Sequence, residues 1–213
     1  MDQIDTKLVS DKVVSELRRE ILYGILKPHQ ELYQDQIAQK LGVSRMPVRE
    51  ALQVLAGDGF ISVRPNHVAT VNEVSDKFIR DFYDVRILLE TTAIRLACAN
   101  RPDCAPAWQA YEAGEKLIQA GQFDAYNAEN RKIHQFIWDA ADNAKLRQIM
   151  SQMWHTMSVG VRPEEAARQS NEDHRVLIRC IEENDPGPAA ETMRRHIERS
   201  YQRISEELLH RRA

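Results

Sequence analysis

Cysteine is scarce: Cys98, Cys104 and Cys180 are the three in 213 residues, and no two of them form a CxxC pair. An odd number without paired spacing excludes a disulfide framework and a zinc ribbon, so they read as buried thiols. No apolar run approaches the roughly 20 residues a membrane-crossing helix requires, so no membrane partner is expected. The opening MDQIDTKLVSD is acidic and polar, unlike an export signal, which points to the cytoplasm. Internal repeats and low-complexity tracts are missing, and so is a strongly basic segment: residues 1–75 carry nine Lys/Arg against ten Asp/Glu. Any contact with DNA must then rest on local charge asymmetry and not on net charge. What the chain does have is apolar content, 43% beside 29% charged, enough to bury one small and one medium domain without covalent staples.

The most informative stretch is LGVSRMPVREALQVLAGDGFI, residues 41–61. Gly42 follows the apolar residues Ile37, Ala38 and Leu41 and sits where a helix should stop, because glycine accepts the left-handed turn. A new helix is expected at once, with Ser44 as N-cap and Pro47 in the first turn, where its missing N–H costs nothing. Val48, Ala51, Leu52 and Leu55 give it a buried stripe, while Arg45 and Arg49, four apart, share another face. Two guanidinium forks at the front of a helix suit phosphates and guanine edges alike. The plain alternative is a pair of solvated charges. Against it stand the tight turn and a following β-like segment, FISVRPNHVATVNEV, as a winged helix-turn-helix requires. The expected DNA-facing set is Ser44, Arg45, Met46 and Arg49, flanked by Gln34, Arg64, Asn66 and His67, with Pro65-Asn66-His67 as the wing turn and Ile61, Val63, Val68 and Val71 on its buried face.

Around this motif, Asp5–Tyr23 reads as a first helix and Leu32–Leu41 as the second. After Val74 the pattern changes and everything to Arg212 is helical, so a head of residues 1–74 and a domain of residues 75–213 are expected. The spacing predicts Asp76–Asn100, with Phe78, Phe82, Val85, Leu89, Ala93, Leu96 and Ala97 buried, then Ala107–Gln119, Asp124–Ala141, Lys145–Val159, Arg168–Glu183 and Pro188–Leu209. Six helices make an antiparallel bundle, and the fold class is mainly α.

Three histidines stand on three of those helices among core-type residues: His134, one turn after Asn130, His174 in EDHRVLIRCI, and His196 in AAETMRRHIERSY. Each alone is more often an ordinary hydrogen-bonded residue than a ligand. Together they can converge inside a bundle and hold a divalent metal ion, zinc foremost, with nickel, manganese or iron also compatible with imidazole. Ser170, one turn before His174, and Arg203, two turns after His196, can face the same cavity. Arg86 pairs at i, i+4 with Glu90, at face value a surface bridge of little worth.

The LGVSRMPVREAL segment resembles the DNA-binding module of the GntR family of bacterial transcription regulators, and NRKIHQFI, EDHRVLIRCIEENDP and AAETMRRHIERS are similar to its FCD subfamily, whose C-terminal domain is a FadR-type helical bundle. The resemblance covers nearly the whole chain. It implies a homodimer on a palindromic double-stranded operator and repression relieved by a small carboxylate effector, with a metal held by an Asp one turn before the first of three His, and an arginine at the place of Arg86 pointing into the effector cavity. Two departures stand out: the Asp position is Asn130, and a DNA-contacting arginine of the family is Asp35 here. An amide oxygen brings a dipole where a carboxylate brings a charge, so weaker metal binding is expected. The family's wing glycines are also missing from this tip. A metal-dependent hydrolase and a metal-free sensor remain as rivals; the first lacks an HExxH or comparable acid–base pairing beside its histidines.

Overall fold

In the computed structural model, residues 6–64, 68–156 and 164–210 are described. Asn66 and His67 therefore lie outside the described residues, as do Pro65, Asp5 and Val159. The described chain orders as α1 (Thr6–Leu22), β1 (Glu31–Leu32), α2 (Gln34–Leu41), α3 (Arg45–Gly57), β2 (Ile61–Val63), β3 (Ala69–Val71), α4 (Asp76–Asn100), α5 (Ala105–Gln119), α6 (Phe123–Ala140), α7 (Ala144–Thr156), α8 (Glu164–Glu183) and α9 (Pro186–His210). Mainly α, with a winged helix-turn-helix ahead of a helical bundle, is the observed class. Contacts divide it into two compact units: Met1–Ile79 with Ser205–Ala213, and Arg80–Ile204.

In the first unit α1 packs on α3, and Val13, Val14, Leu17 and Ile21 meet the stripe Val48, Ala51, Leu52 and Leu55, all buried. Gly42 ends α2 at φ 65°, and its left-handed geometry lets Val43 donate to the Ala38 carbonyl at 3.0 Å, which turns the chain into α3 within three residues. Ser44 holds the N-cap place in extended conformation, but its hydroxyl makes no capping hydrogen bond, and Pro47 is buried in the first turn. Arg18 bridges to Asp58 at 2.7 Å and lies 5.7 Å from the Phe60 ring centre.

Two expectations fail here. Leu32 is not helix but ends a short strand, β1, which pairs antiparallel with β3 in a three-stranded sheet of order β1-β3-β2. Leu32 belongs to the sheet because it pairs with Ala69 and buries its side chain there, while the first helical hydrogen bond of α2 runs from the Ile37 N–H to the Tyr33 carbonyl. The wing hairpin pairs Ile61 with Val71 and Val63 with Ala69, but Val63 is 50% exposed and the three residues of β3 are all buried. β3 is the middle strand, and the burial of successive residues, whose side chains point to opposite faces, shows that both faces of the sheet are covered there.

In the second unit α5 packs against α6 and α8, and α6 against α7 and α8. Trp138, Tyr126, Ile94, Ile118, Ile133, Ile137, Leu177, Ile178 and Ile181 form its core. The expected burial along α4 is displaced: Val85 is 49% exposed, while Ile79, Tyr83, Arg86, Glu90, Ala93, Ile94 and Ala97 are buried. The helix turns two charged side chains inward because they have partners there, and counting apolar residues alone put the buried face one position off. Proline marks helix starts more closely than expected, since Pro106 lies in the first turn of α5 and Pro186 opens α9.

Candidate functional site

The N-terminal end of α3 presents Ser44, Arg45, Met46 and Arg49 as exposed side chains on one side of a helix whose other side is core. The Arg45 guanidinium is paired with Asp35 on α2, both well exposed. Gln34 opens α2 half-buried, and Arg64 at the end of β2 lies 3.8 Å from Glu31. Asp35 thus sits beside the N-terminal end of α3, where its carboxylate faces one of the two arginines.

The three histidines come together. His134 on α6, His174 on α8 and His196 on α9 are buried, and one ligand atom from each lies within 4.8 Å of the others. His134 Nε2 and His196 Nε2 are 3.2 Å apart, and the His174 ring centre is 5.4 and 4.9 Å from theirs. Helical period explains the convergence: Asn130, Ile133, His134, Ile137 and Trp138 recur on the inward side of α6, and Ser170, Asp173, His174 and Leu177 on that of α8. Around them sits a carboxylate layer. Glu90 Oε1 lies 3.1 Å from His134 Nδ1, an ion-pair distance off the line of a good hydrogen bond. Its Oε2 accepts from Trp138 Nε1 at 2.8 Å, and Arg86 Nη2 lies 3.5 Å from Oε1. On the other side Asp173 Oδ2 is 3.0 Å from His196 Nδ1 and also pairs with Arg199.

This surrounding sets the charges. Burial alone would raise Glu90, but His134, Arg86 and the Trp138 N–H outweigh it and hold the carboxyl at about 2. Asp173 is lowered likewise, burial being overcome by His196 and Arg199. Burial, reinforced by the neighbouring imidazoles, keeps His174 well below the usual histidine range, and burial outweighs the Asp173 contact to put His196 at about 4. Neutral imidazoles with oriented lone pairs are what a cation needs.

The donor set fits a divalent ion. Neither nitrogen of His174 has a hydrogen-bond partner among the described residues, although the ring is fully buried, and the Asn130 Oδ1 is buried and unpartnered too. Leaving such atoms unpaired costs about 1–3 kcal/mol each, and an ion accepting a lone pair from one His174 nitrogen and from the Asn130 Oδ1 removes that cost for those two atoms. The Arg86 Nε and the Ser170 Oγ are in the same condition. Arg86, read from spacing as a surface bridge, is 8% exposed and stacks 5.1 Å from the Trp154 ring. Arg203 is half-buried and donates to Ser200 at 3.1 Å. Sequence reasoning missed Glu90 and Asp173. Glu90 was visible in the register Ile79, Tyr83, Arg86, Glu90, Ala93 as a charged residue on a helical stripe, whereas nothing local ties Asp173 to His196, 23 residues on.

Residues 9–71 match the model of bacterial regulatory proteins of the gntR family, and residues 81–199 that of the FCD domain. The chain is 27% identical over 207 residues to the HTH-type transcriptional regulator McbR of Escherichia coli, covering 91% of this chain and 93% of McbR. It is 27% identical over 209 residues to the probable D-xylose utilization operon transcriptional repressor of Paenarthrobacter nicotinovorans, covering 92% and 91%. The match to the HTH-type regulator YdhC of Bacillus subtilis, 28% identical over 139 residues, spans 64% of this chain and 62% of YdhC. In three dimensions the solved structure of E. coli McbR/YncC superposes with a TM-score of 0.69 at 22% identity, over 93% of this chain and 98% of that one, a likeness of fold.

Proposed function

Because the chain belongs to the gntR family of bacterial regulatory proteins and carries an FCD domain, we propose that this DNA-binding transcriptional regulator is a repressor whose operator affinity answers to a small carboxylate held beside a divalent ion. Family and relatives are regulators, so the hydrolase alternative falls. Residues 1–74 act as the DNA-binding head and residues 75–213 as the effector and dimerisation domain of a cytoplasmic homodimer. Among the described residues no helix is long and apolar enough to cross a membrane. Arg45 and Arg49 enter the major groove, Ser44, Met46 and Gln34 border it, and Arg64, Asn66 and His67 follow the backbone, one half-site per subunit.

Inside the bundle, His134, His174 and His196 with the Asn130 amide oxygen hold the ion, zinc foremost. When bound, it supplies positive charge and open coordination positions for a carboxylate oxygen. Arg86 grips the far end of the ligand, with Ser170 and Arg203 at its flanks. The observation that carries this reading is the set of buried polar atoms with no partner among the described residues, His174 Nδ1 and Nε2, Asn130 Oδ1, Arg86 Nε and Ser170 Oγ. Nearly all such atoms in folded proteins are paired, so together they mark a place made for a ligand. Binding re-packs the helices and, by linkage, an acid that loosens DNA binding must itself bind the DNA complex less well.

The test is metal analysis of the purified chain followed by a thermal-shift screen of small organic acids with and without zinc, then gel shift on DNA flanking the gene. One ion per chain and an acid that both raises the melting temperature and releases DNA are expected. Acids that act equally in chelator, with no ion ever found, would make it a metal-free sensor.

A further inference from the structure

The imidazoles are aimed by their outer contacts. His134 turns Nδ1 toward Glu90 and Nε2 toward His196, and His196 turns Nδ1 toward Asp173 and Nε2 back toward His134. A carboxylate facing a ring nitrogen favours the proton on that nitrogen, which leaves the lone pair on the other. Both Nε2 atoms then point lone pairs at one another across 3.2 Å. That arrangement repels unless a positive charge lies between them. None of the inner donors, three imidazoles and the Asn130 amide, brings a carboxylate's negative charge, so that charge reaches the site only from the layer behind. That layer holds two carboxylates, each fixed by groups of its own: Glu90 by Trp138 and Arg86, Asp173 by Arg199.

Resting on the reading of the three histidines as a metal site, we infer that Glu90 and Asp173 are its positioning carboxylates: they set the tautomers of His134 and His196 and provide from the second layer the charge that Asn130 does not. A purely structural reading is available, because Glu90 with Arg86 and Asp173 with Arg199 are also ion pairs. An ion pair, however, needs no imidazole on its carboxylate, and here each of the two acids has one.

Amide substitution separates the two readings. Glu90→Gln and Asp173→Asn keep shape and an acceptor oxygen but remove the charge and weaken the pull on the ring proton. The full-length chain, stripped of metal, is titrated with zinc against a competing chelator, and with cobalt(II) followed by its visible absorption. Wild type should bind one ion per chain. Each variant should bind zinc roughly 10–100-fold more weakly, as removal of outer partners of ligating histidines does, and the cobalt bands should shift in position or intensity. Asn130→Asp placed in the Glu90→Gln chain should recover part of the lost affinity, since it returns a negative charge to the same site. If Glu90→Gln does not fold, Asp173→Asn, nearer the rim, decides. Variants that lose thermal stability yet bind zinc within about twofold of wild type, with an unchanged cobalt spectrum, would make the carboxylates structural and overturn the inference. A wild-type chain that binds no ion would overturn the metal reading itself, and the inference with it.

Discussion

Acid should unfold the metal-free chain through His196, and the size of the effect follows from its surroundings. Burial lowers this imidazole from the usual 6.5 to about 4, against the pull of Asp173. Between those two values the unfolded chain binds a proton that the folded chain refuses, so stability rises with pH across the window and falls on acidification. The full difference is on the order of 3 kcal/mol, and most of it, about 2–3 kcal/mol, is lost between about pH 7 and about pH 4.5. His174 contributes with the same sign. Glu90 and Asp173 are depressed carboxyls, whose stabilisation is present above the ordinary carboxylate range and lost only as pH falls below it, so this window isolates the imidazoles. For a chain of this length, 2–3 kcal/mol lowers the melting temperature by about 5–10 °C. The assay is thermal denaturation in chelator at several pH values, wild type beside His196→Gln, which retains a hydrogen-bond donor for Asp173 but no titrating ring. The variant should melt with a shallower dependence on pH. Equal slopes would show that the proton is not taken up at His196, and the account of the buried cluster would be wrong.

Zinc at about 100 times its dissociation constant should add about 2.7 kcal/mol, raising the melting point by about 5–10 °C. A chelator should reverse the rise, and His134→Ala should abolish it. Arg49→Ala should cost about 1–3 kcal/mol at a matched operator in a gel-shift titration if the guanidinium makes a bidentate base contact. Asp35→Ala should leave folding within about 1 kcal/mol, because its pair with Arg45 is exposed. Freeing that arginine should strengthen binding to non-specific duplex and steepen the salt dependence by about one counterion. Gly114→Ala places a Cβ 3.0 Å from Asn171 Oδ1 and 3.3 Å from the Tyr126 ring. The helix-propensity gain of about 1 kcal/mol should not offset overpacking of about 1–3 kcal/mol, so a lower denaturant midpoint is expected.

Much of the architecture is local and so could be read from the chain. The tight turn at Gly42, the stripe Val48, Ala51, Leu52, Leu55 and the helices described after Val74 follow from periods of 3.6 and from glycine and proline chemistry, which need no knowledge of distant residues. The strand at Glu31-Leu32 was not legible, because two residues have no period and owe their conformation to a partner strand nearly 40 positions on. Along α4, hydrophobicity pointed to Val85 as core and structure exposes it, turning Arg86 and Glu90 inward. Charged side chains are buried when something at a distance answers them, and propensity carries no record of that.

The sequence by itself determined that three imidazoles stand on three helices, because each is flanked by core-type residues at helical spacing. It also determined that two arginines front a short helix after a glycine turn. Only the tertiary structure decided that the imidazoles meet, that Glu90 and Asp173 stand behind two of them, and that Asp35 leans on Arg45. The physical reason is one of range: backbone period acts over a few residues, whereas convergence and charge compensation are made by side chains 10 to 62 positions apart that meet only when the chain has folded.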